Sequence, residues 1–245
     1  MTILGIDVGG SGIKGAPVDT TTGKLLAERF RIKTPQPAKL QPIGEAVAQI
    51  VHNFDWKGNI GIGFPAPIKA GVALTAAHIS PKWIGVNVDE FFTKVTGCPC
   101  TIINDADGAG LAEMTYGAGL GNTGTVILVD LGTGIGSALF NHGTLVPNTQ
   151  LGHIEINGKD AALRASGVAQ QKYHLSWKKY AKRVDRYLKA LEQLFWPDLF
   201  IIGGGISVDH DKFLPQLTVD VPVVPALFLN NAGIIGAALA AGKEN

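Results

Sequence analysis

The sequence predicts an α/β protein of two lobes with related topology, mixed sheets flanked by helices. Three observations carry this. Short apolar strand-like runs alternate with segments of helical period. A strand ending in an acid and a glycine-rich hairpin occurs twice, and the two acids, Asp7 and Asp130, stand half of the 245-residue chain apart. Glycine is in excess: 32 residues, about 13 % against a usual level near 7 %. With no Gly-X-Y period, the glycines read as loops where backbone approaches a ligand.

Element by element, residues 3–8 form a short apolar strand and 13–18 the returning one. A turn at 20–23 leads to a third strand at 24–33, a β-meander broken by Pro35 and Pro37. Leu40, Ile43, Val47, Ile50 and Phe54 recur at helical spacing. Strands follow at 59–64, running into Pro65, and at 101–103, ending at Asn104-Asp105. A helix of small residues then reaches about Tyr116. In the second half, 125–129 and 137–140 are strands, with Asn141-His142-Gly143 as a hairpin turn. Trp177, Tyr180, Val184, Leu188, Leu191 and Phe195 make the apolar stripe of a strong helix. A strand at 198–202 enters Gly203-Gly204-Gly205. A helix around 211–217, a strand at 221–224 and a small-residue helix at 231–241 complete the chain. The lobes are expected at 1–104 and 105–245, with the last helix packing back on the first lobe.

Composition excludes several classes. An apolar fraction of 46 % is too high for a disordered chain, and a net charge of +1 does not suit a general nucleic-acid binder. No apolar run reaches the roughly 18 residues of a membrane span, and the N-terminus lacks the basic start of a signal peptide. Cys98 and Cys100 read as reduced thiols, too close in sequence for a comfortable bridge. The expectation is a cytoplasmic protein with no membrane and no nucleic-acid partner.

The chemistry-bearing motifs follow. Gly10-Ser11-Gly12-Ile-Lys14-Gly15 matches a dinucleotide fingerprint, but the segment after it is extended and holds Pro17, so it does not open a helix. The better reading is a hairpin whose backbone N–H groups, at Gly9, Gly10, Ser11 and Gly12, face anionic oxygens. Asp7 at the strand end can hold a metal's water shell, and Lys14 can reach phosphate as a point charge. Gly132, Thr133 and Gly134 repeat the hairpin after Asp130. Asn104-Asp105 follows a strand and precedes a helix. It is both a capping pair and a place for a carboxylate that accepts a proton from an attacking hydroxyl. Gln150, His153 and Glu155 set an amide, an imidazole and a carboxylate within six residues, donors and acceptors of the kind sugar hydroxyls need. Residues 159–189 carry nine basic side chains and two acids. Lys178, Lys182, Arg186 and Lys189 fall on one helix face, either a solvated surface or a path for a polyanion.

The stretches Asp7–Lys14, Asn104–Asp107, Asp130–Gly136, Leu151–Asp160 and Phe200–Ser207 resemble those of the polyphosphate glucokinases, a branch of the ROK family of sugar kinases. The resemblance covers nearly the whole chain. It implies an actin-like (ribonuclease H-like) two-lobed fold with a glucose cleft between the lobes. It implies that Asp105 is the base on the glucose 6-hydroxyl, that Asn104, His153 and Glu155 bind the sugar, and that Gln150 and Pro65 join them. The Asp7 and Asp130 hairpins would hold donor phosphates and Mg²⁺, with Gly204 and Gly205 flanking the donor channel. The implied donor is inorganic polyphosphate, with ATP used by some members, and the implied assembly a homodimer. Two departures stand out. No zinc-binding cysteines follow His153, so no zinc is expected. Gln150 stands where the family usually has Glu, a weaker acceptor for a sugar hydroxyl. His78 stands where related chains often have Asn, in a loop expected to cap the sugar. The competing readings are an ATP-dependent hexose kinase, a polyphosphate hydrolase and a non-catalytic sugar sensor. The sensor would need a DNA-binding segment before Ile3.

Overall fold

The computed structural model describes residues 1–77 and 79–242; His78 lies outside the described residues. In the first half, β1 (Thr2–Val8) and β2 (Gly12–Asp19) form a hairpin, and β3 (Lys24–Leu25) and β4 (Phe30–Lys33) both pair with β2. The expected single strand at 24–33 is thus two short ones, interrupted at 26–29 by residues exposed to water. Helix α1 (Leu40–Asn53) buries Ile43, Val47 and Ile50. Strand β5 (Ile60–Phe64) follows, then the small hairpin β6 (Ile68–Lys69) and β7 (Val72–Ala73).

Helix α2 (Val88–Thr96) was not predicted, although its end signals are in the sequence. Asn87 accepts a bond from the Glu90 N–H and donates one to the Glu90 carboxylate, and Gly97 closes the helix at φ 70°. It delivers Phe91 and Phe92 to an aromatic group with Phe64 and Trp83, with ring centroids 5.0 to 6.0 Å apart. Strand β8 (Cys100–Asn104) and helix α3 (Asp105–Tyr116) follow. Both cysteines are free, and burial pushes the Cys100 thiol up to about 11.

The second half holds β9 (Thr125–Leu131), β10 (Ile135–Asn141), β11 (Thr144–Val146), the short helices α4 (Ala162–Ala165) and α5 (Gly167–Lys172), then α6 (Trp177–Phe195), β12 (Leu199–Gly203) and β13 (Val223–Pro225). The expected helix at 211–217 is instead two 3₁₀ stretches, Gly205–Lys212 and Leu214–Gln216. Pro215 lacks the N–H that a continuous α-helix would use there. Helix α6 places Tyr180, Val184, Leu188 and Leu191 in a core with Phe200 and Phe213. The last helix is α7 (Ala232–Gly242).

The two sheets share one plan. The first runs β3-β2-β1-β5-β8 and the second β11-β10-β9-β12-β13. In each, an antiparallel hairpin continues into two parallel strands. The chain forms two compact units, 1–112 with 231–245, and 113–230. The division therefore falls inside α3, not at the expected 104/105, and α7 belongs to the first unit. Glu113, fully buried, begins the second unit. Its carboxylate accepts N–H bonds from Ala118, Leu227 and Phe228, which offsets the cost of burying its charge.

Helix α7 lies directly on strand backbone. A Cβ on Gly5 would overlap the Ile234 carbonyl, one on Gly61 the Ala237 carbonyl, and one on Gly236 the Gly108 carbonyl. The glycine excess is therefore only partly a matter of loops. Gly5 and Gly61 let α7 sit closer to the sheet, and Gly236 closer to α3, than side chains allow. Among the described residues, no helix is long and apolar enough to cross a membrane.

Candidate active site

Each hairpin is built the same way. In the first, Asp7 lies opposite Lys14 on β2 and beside Gly63 on β5. Gly9 N–H donates to the Gly12 carbonyl at 3.1 Å, and Ser11 stands exposed at the tip. In the second, Asp130 lies opposite Gly136 and beside Gly203 on β12. Gly132 N–H donates to the Gly134 carbonyl at 3.1 Å, and Thr133 is the exposed tip.

Close glycines surround both acids. A Cβ on Gly233, in the first turn of α7, would lie 2.7 Å from Asp7 Oδ2. Gly204, at φ 82°, wraps Asp130 so closely that a Cβ would overlap its carboxylate. Gly205 is exposed and a Cβ there would meet nothing within 4 Å. Lys14 Nζ sits 3.1 Å from Asp7 Oδ2, both side chains mostly buried. Among the described residues, no group of three or more His, Cys, Asp or Glu could hold a metal ion alone. One carboxylate per hairpin suits a hard cation that keeps waters and takes its other ligands from phosphate, as Mg²⁺ does.

Asp105 is the first residue of α3, a favourable place for a negative side chain. Its Oδ1 accepts from the Asn104 amide at 3.1 Å and from the Ala106 N–H at 2.9 Å. Asn104, 4 % exposed, also caps the helix by accepting from the Ala106 and Asp107 N–H groups, and donates to the Ala66 carbonyl. It thus caps the helix and orients Asp105 at once. Gly63 lies between Asp7 and Asp105: a Cβ there would be 3.6 Å from the Asp105 Cα and 3.8 Å from Asp7 Oδ1. Pro65 follows β5, half-buried.

In the second unit, Gln150, Leu151, Gly152 and His153 make a 3₁₀ turn pinned by Ser137, whose Oγ donates to the Thr149 carbonyl and accepts from the Leu151 N–H. His153 and Glu155 are exposed, as is Gln150. His153 Nδ1 lies 2.7 Å from Asp160 Oδ2, and Asp160 Oδ1 accepts the Ala162 N–H. The tautomer that donates from Nδ1 to Asp160 leaves Nε2 as an acceptor. The Tyr187 hydroxyl is pushed well above its ordinary value, first by burial and then by the charge of Asp160.

Sequence reasoning missed Asp160. Asn157-Gly158 takes up positive φ at both positions and turns the chain so that Asp160 bridges to Glu155. That Asn-Gly pair was the available signal. It also missed Thr34, whose hydroxyl donates to the Gly9 carbonyl at 2.6 Å, and that contact has no local signature. On α6, Lys178, Lys182 and Arg186 are exposed. Lys189 leaves the row, because it pairs with Asp185 at 3.3 Å and donates to Thr218.

Two sheets of one plan, each with an acidic strand end and a glycine hairpin, are those of an actin-like fold. The chain belongs to the ROK family, which it matches over residues 3–167. It is 49 % identical over 238 residues to the polyphosphate glucokinase of Mycobacterium tuberculosis (strain ATCC 25618 / H37Rv), covering 97 % of this chain and 90 % of that protein. Among solved structures it superposes on the inorganic polyphosphate/ATP-glucomannokinase from Arthrobacter sp. strain KM with a TM-score of 0.95 at 48 % identity, covering 97 % of each chain. A ROK family glucokinase from Streptomyces griseus, in complex with glucose and AMPPNP, shares the fold at 24 % identity with a TM-score of 0.84, over 98 % of this chain and 99 % of that one.

Proposed function

We infer that the chain is a polyphosphate-dependent glucose kinase, which moves the terminal phosphoryl group of inorganic polyphosphate to the glucose 6-hydroxyl. The observation that carries this is 49 % identity to a polyphosphate glucokinase over nearly the whole length of both proteins. In this reading Asp105, held by Asn104 and the start of α3, accepts the hydroxyl proton as the phosphoryl group leaves. Phosphoryl transfer needs alignment and charge neutralisation more than covalent help. The tips of the Gly9–Gly12 and Gly132–Gly134 hairpins, closed by the Gly9 and Gly132 N–H groups, would cradle the donor phosphates with Lys14, Gly204 and Gly205. Mg²⁺ at Asp7 and Asp130 would neutralise charge on them.

Asn104, Gln150, His153 and Glu155 would bind the remaining sugar hydroxyls, with Pro65 beside them. Lys178, Lys182 and Arg186 would attract the long donor. A homodimer accords with Leu194 and Trp196, exposed at the end of α6, and the cytoplasm with two free cysteines. ATP serves as a second donor in this reading, as the name of the Arthrobacter enzyme states for that protein.

The test mixes protein, glucose and Mg²⁺ with polyphosphate or ATP and measures glucose 6-phosphate. Product from polyphosphate is expected, and EDTA should abolish it. Product from ATP alone would overturn the donor, and phosphate release without glucose would replace the kinase by a hydrolase.

A further inference from the structure

Strand β4 carries a row of basic residues beside the hairpin. The β2–β4 ladder sets Lys33 opposite Gly12 and Arg31 opposite Lys14. Ile32 turns to the apolar core, so strand alternation sends Arg31 and Lys33 to the other face. That is the face of Lys14 and Asp7. Arg31 Nη2 donates to the Ser11 carbonyl at 3.1 Å. Its guanidinium lies over Gly12, where a Cβ would stand 2.6 Å from Nε. Just before the strand, Arg29 Nη1 donates to the Asn231 side chain at 3.0 Å, beside the start of α7.

Lys14, Arg31 and Lys33 therefore share a face with Asp7, and Arg29 stands just before them. Asp7 is answered by Lys14. Among the described residues, Arg29, Arg31 and Lys33 have no ion-pair partner. Charges on an edge strand also discourage edge-to-edge pairing. That role needs neither a single sign nor a guanidinium packed on the hairpin. A surplus of like charge beside backbone N–H groups is a place for a polyanion.

We propose that Arg29, Arg31 and Lys33 bind the polyphosphate chain behind the phosphoryl groups held at the Gly9–Gly12 hairpin. The proposal rests on the polyphosphate reading above and deepens it. Polyphosphate carries charge on every unit, whereas the anionic part of ATP ends after three phosphates in an uncharged nucleoside. Arg31 and Lys33, about 6.6 Å apart along the strand, serve the first kind of donor and not the second. The row is thus a donor-selectivity element, and the Arg31 fork can hold two oxygens of one phosphate.

The experiment measures KM for polyphosphate, ATP and glucose in Lys33→Gln, Arg31→Gln, their double variant and Arg31→Lys. The double variant is expected to raise KM for polyphosphate about tenfold and to flatten its salt dependence, with KM for glucose unchanged. Arg31→Lys should recover part of the loss. Among the described residues the Lys33 side chain makes no hydrogen bond or ion pair to the hairpin, so its share of the effect separates charge from hairpin support. An unchanged polyphosphate KM would overturn the proposal, as would an equal rise for ATP. Binding of polyphosphate without glucose, followed by fluorescence, separates the two readings. If wild type transfers no phosphoryl group yet binds polyphosphate more tightly than the double variant, the kinase reading fails and the row stands. Equal binding by both overturns the row.

Discussion

The Asp7 and Asp130 hairpins share a backbone plan and differ in what surrounds it. Opposite Asp7 stands Lys14; opposite Asp130 stands Gly136. Arg31 lies over the first hairpin, while the start of α5 donates the Val168 N–H to the Gly132 carbonyl in the second. Beyond Gly63 lies Asp105; beyond Gly203 lies Ala226, whose Cβ would be 3.9 Å from a Cβ there. The backbone makes an acid-ended strand and a glycine hairpin twice. Side chains give the first a cation, Lys14, a guanidinium, Arg31, and a neighbouring acid, Asp105.

Three substitutions test that contrast. The largest effect is expected from Asp105→Ala, which leaves the first hairpin with a methyl group where the second has Ala226. Turnover should fall at least ~10² with Tm nearly unchanged, read by steady-state kinetics and thermal unfolding. Retained turnover would move the base elsewhere. Next comes Gly204→Ala, which forces a side chain into left-handed backbone and against the Asp130 carboxylate. A loss of about 1–3 kcal/mol is expected, each kcal/mol lowering Tm by roughly 2–4 °C. Gly205→Ala, in open space, should keep the wild-type Tm. Equal Tm values for the two would show that the second hairpin does not depend on its tight backbone.

The smallest effect belongs to Asp160→Asn. With the carboxylate gone, the His153 ring is free to change tautomer. KM for glucose should rise about fivefold while kcat changes less. The ¹⁵N shifts of the ring should show a mixture of tautomers, and an unchanged spectrum would mean that Asp160 does not set the proton.

The repeat was legible because it is local: strand, acid, glycines and a hydroxyl stand within ten residues, and Pro17 rules out a helix after the first copy. Asn104-Asp105 was legible for a similar reason, since a cap and an acid can share a dipeptide. What stayed hidden depends on register or on turns. Arg31 meets Lys14 only because β4 pairs with β2 in one register; the alternation around Ile32 fixes the face Arg31 takes but not the strand it meets. Asp160 meets His153 only through the Asn157-Gly158 turn. Helix α2 was passed over because it is nine residues long, short enough for its period to be lost among aromatic residues. On α6, Lys178, Lys182 and Arg186 are exposed, while Lys189 pairs with Asp185, and the four-residue spacing was the sequence signal for that pair.

The seating of α7 on Gly5 and Gly61 bears on how the molecule is made. A chain is synthesised from its N-terminus, and domains fold as their residues emerge. Residues 113–230 are all present before 232–242 appear, so the second unit can finish while the first still lacks its last helix. Until then the glycine-lined face of β1 and β5 lies open, with Asp7 and Asp105 at its margin. The half that begins first is completed last, and the order of synthesis runs against the order of assembly.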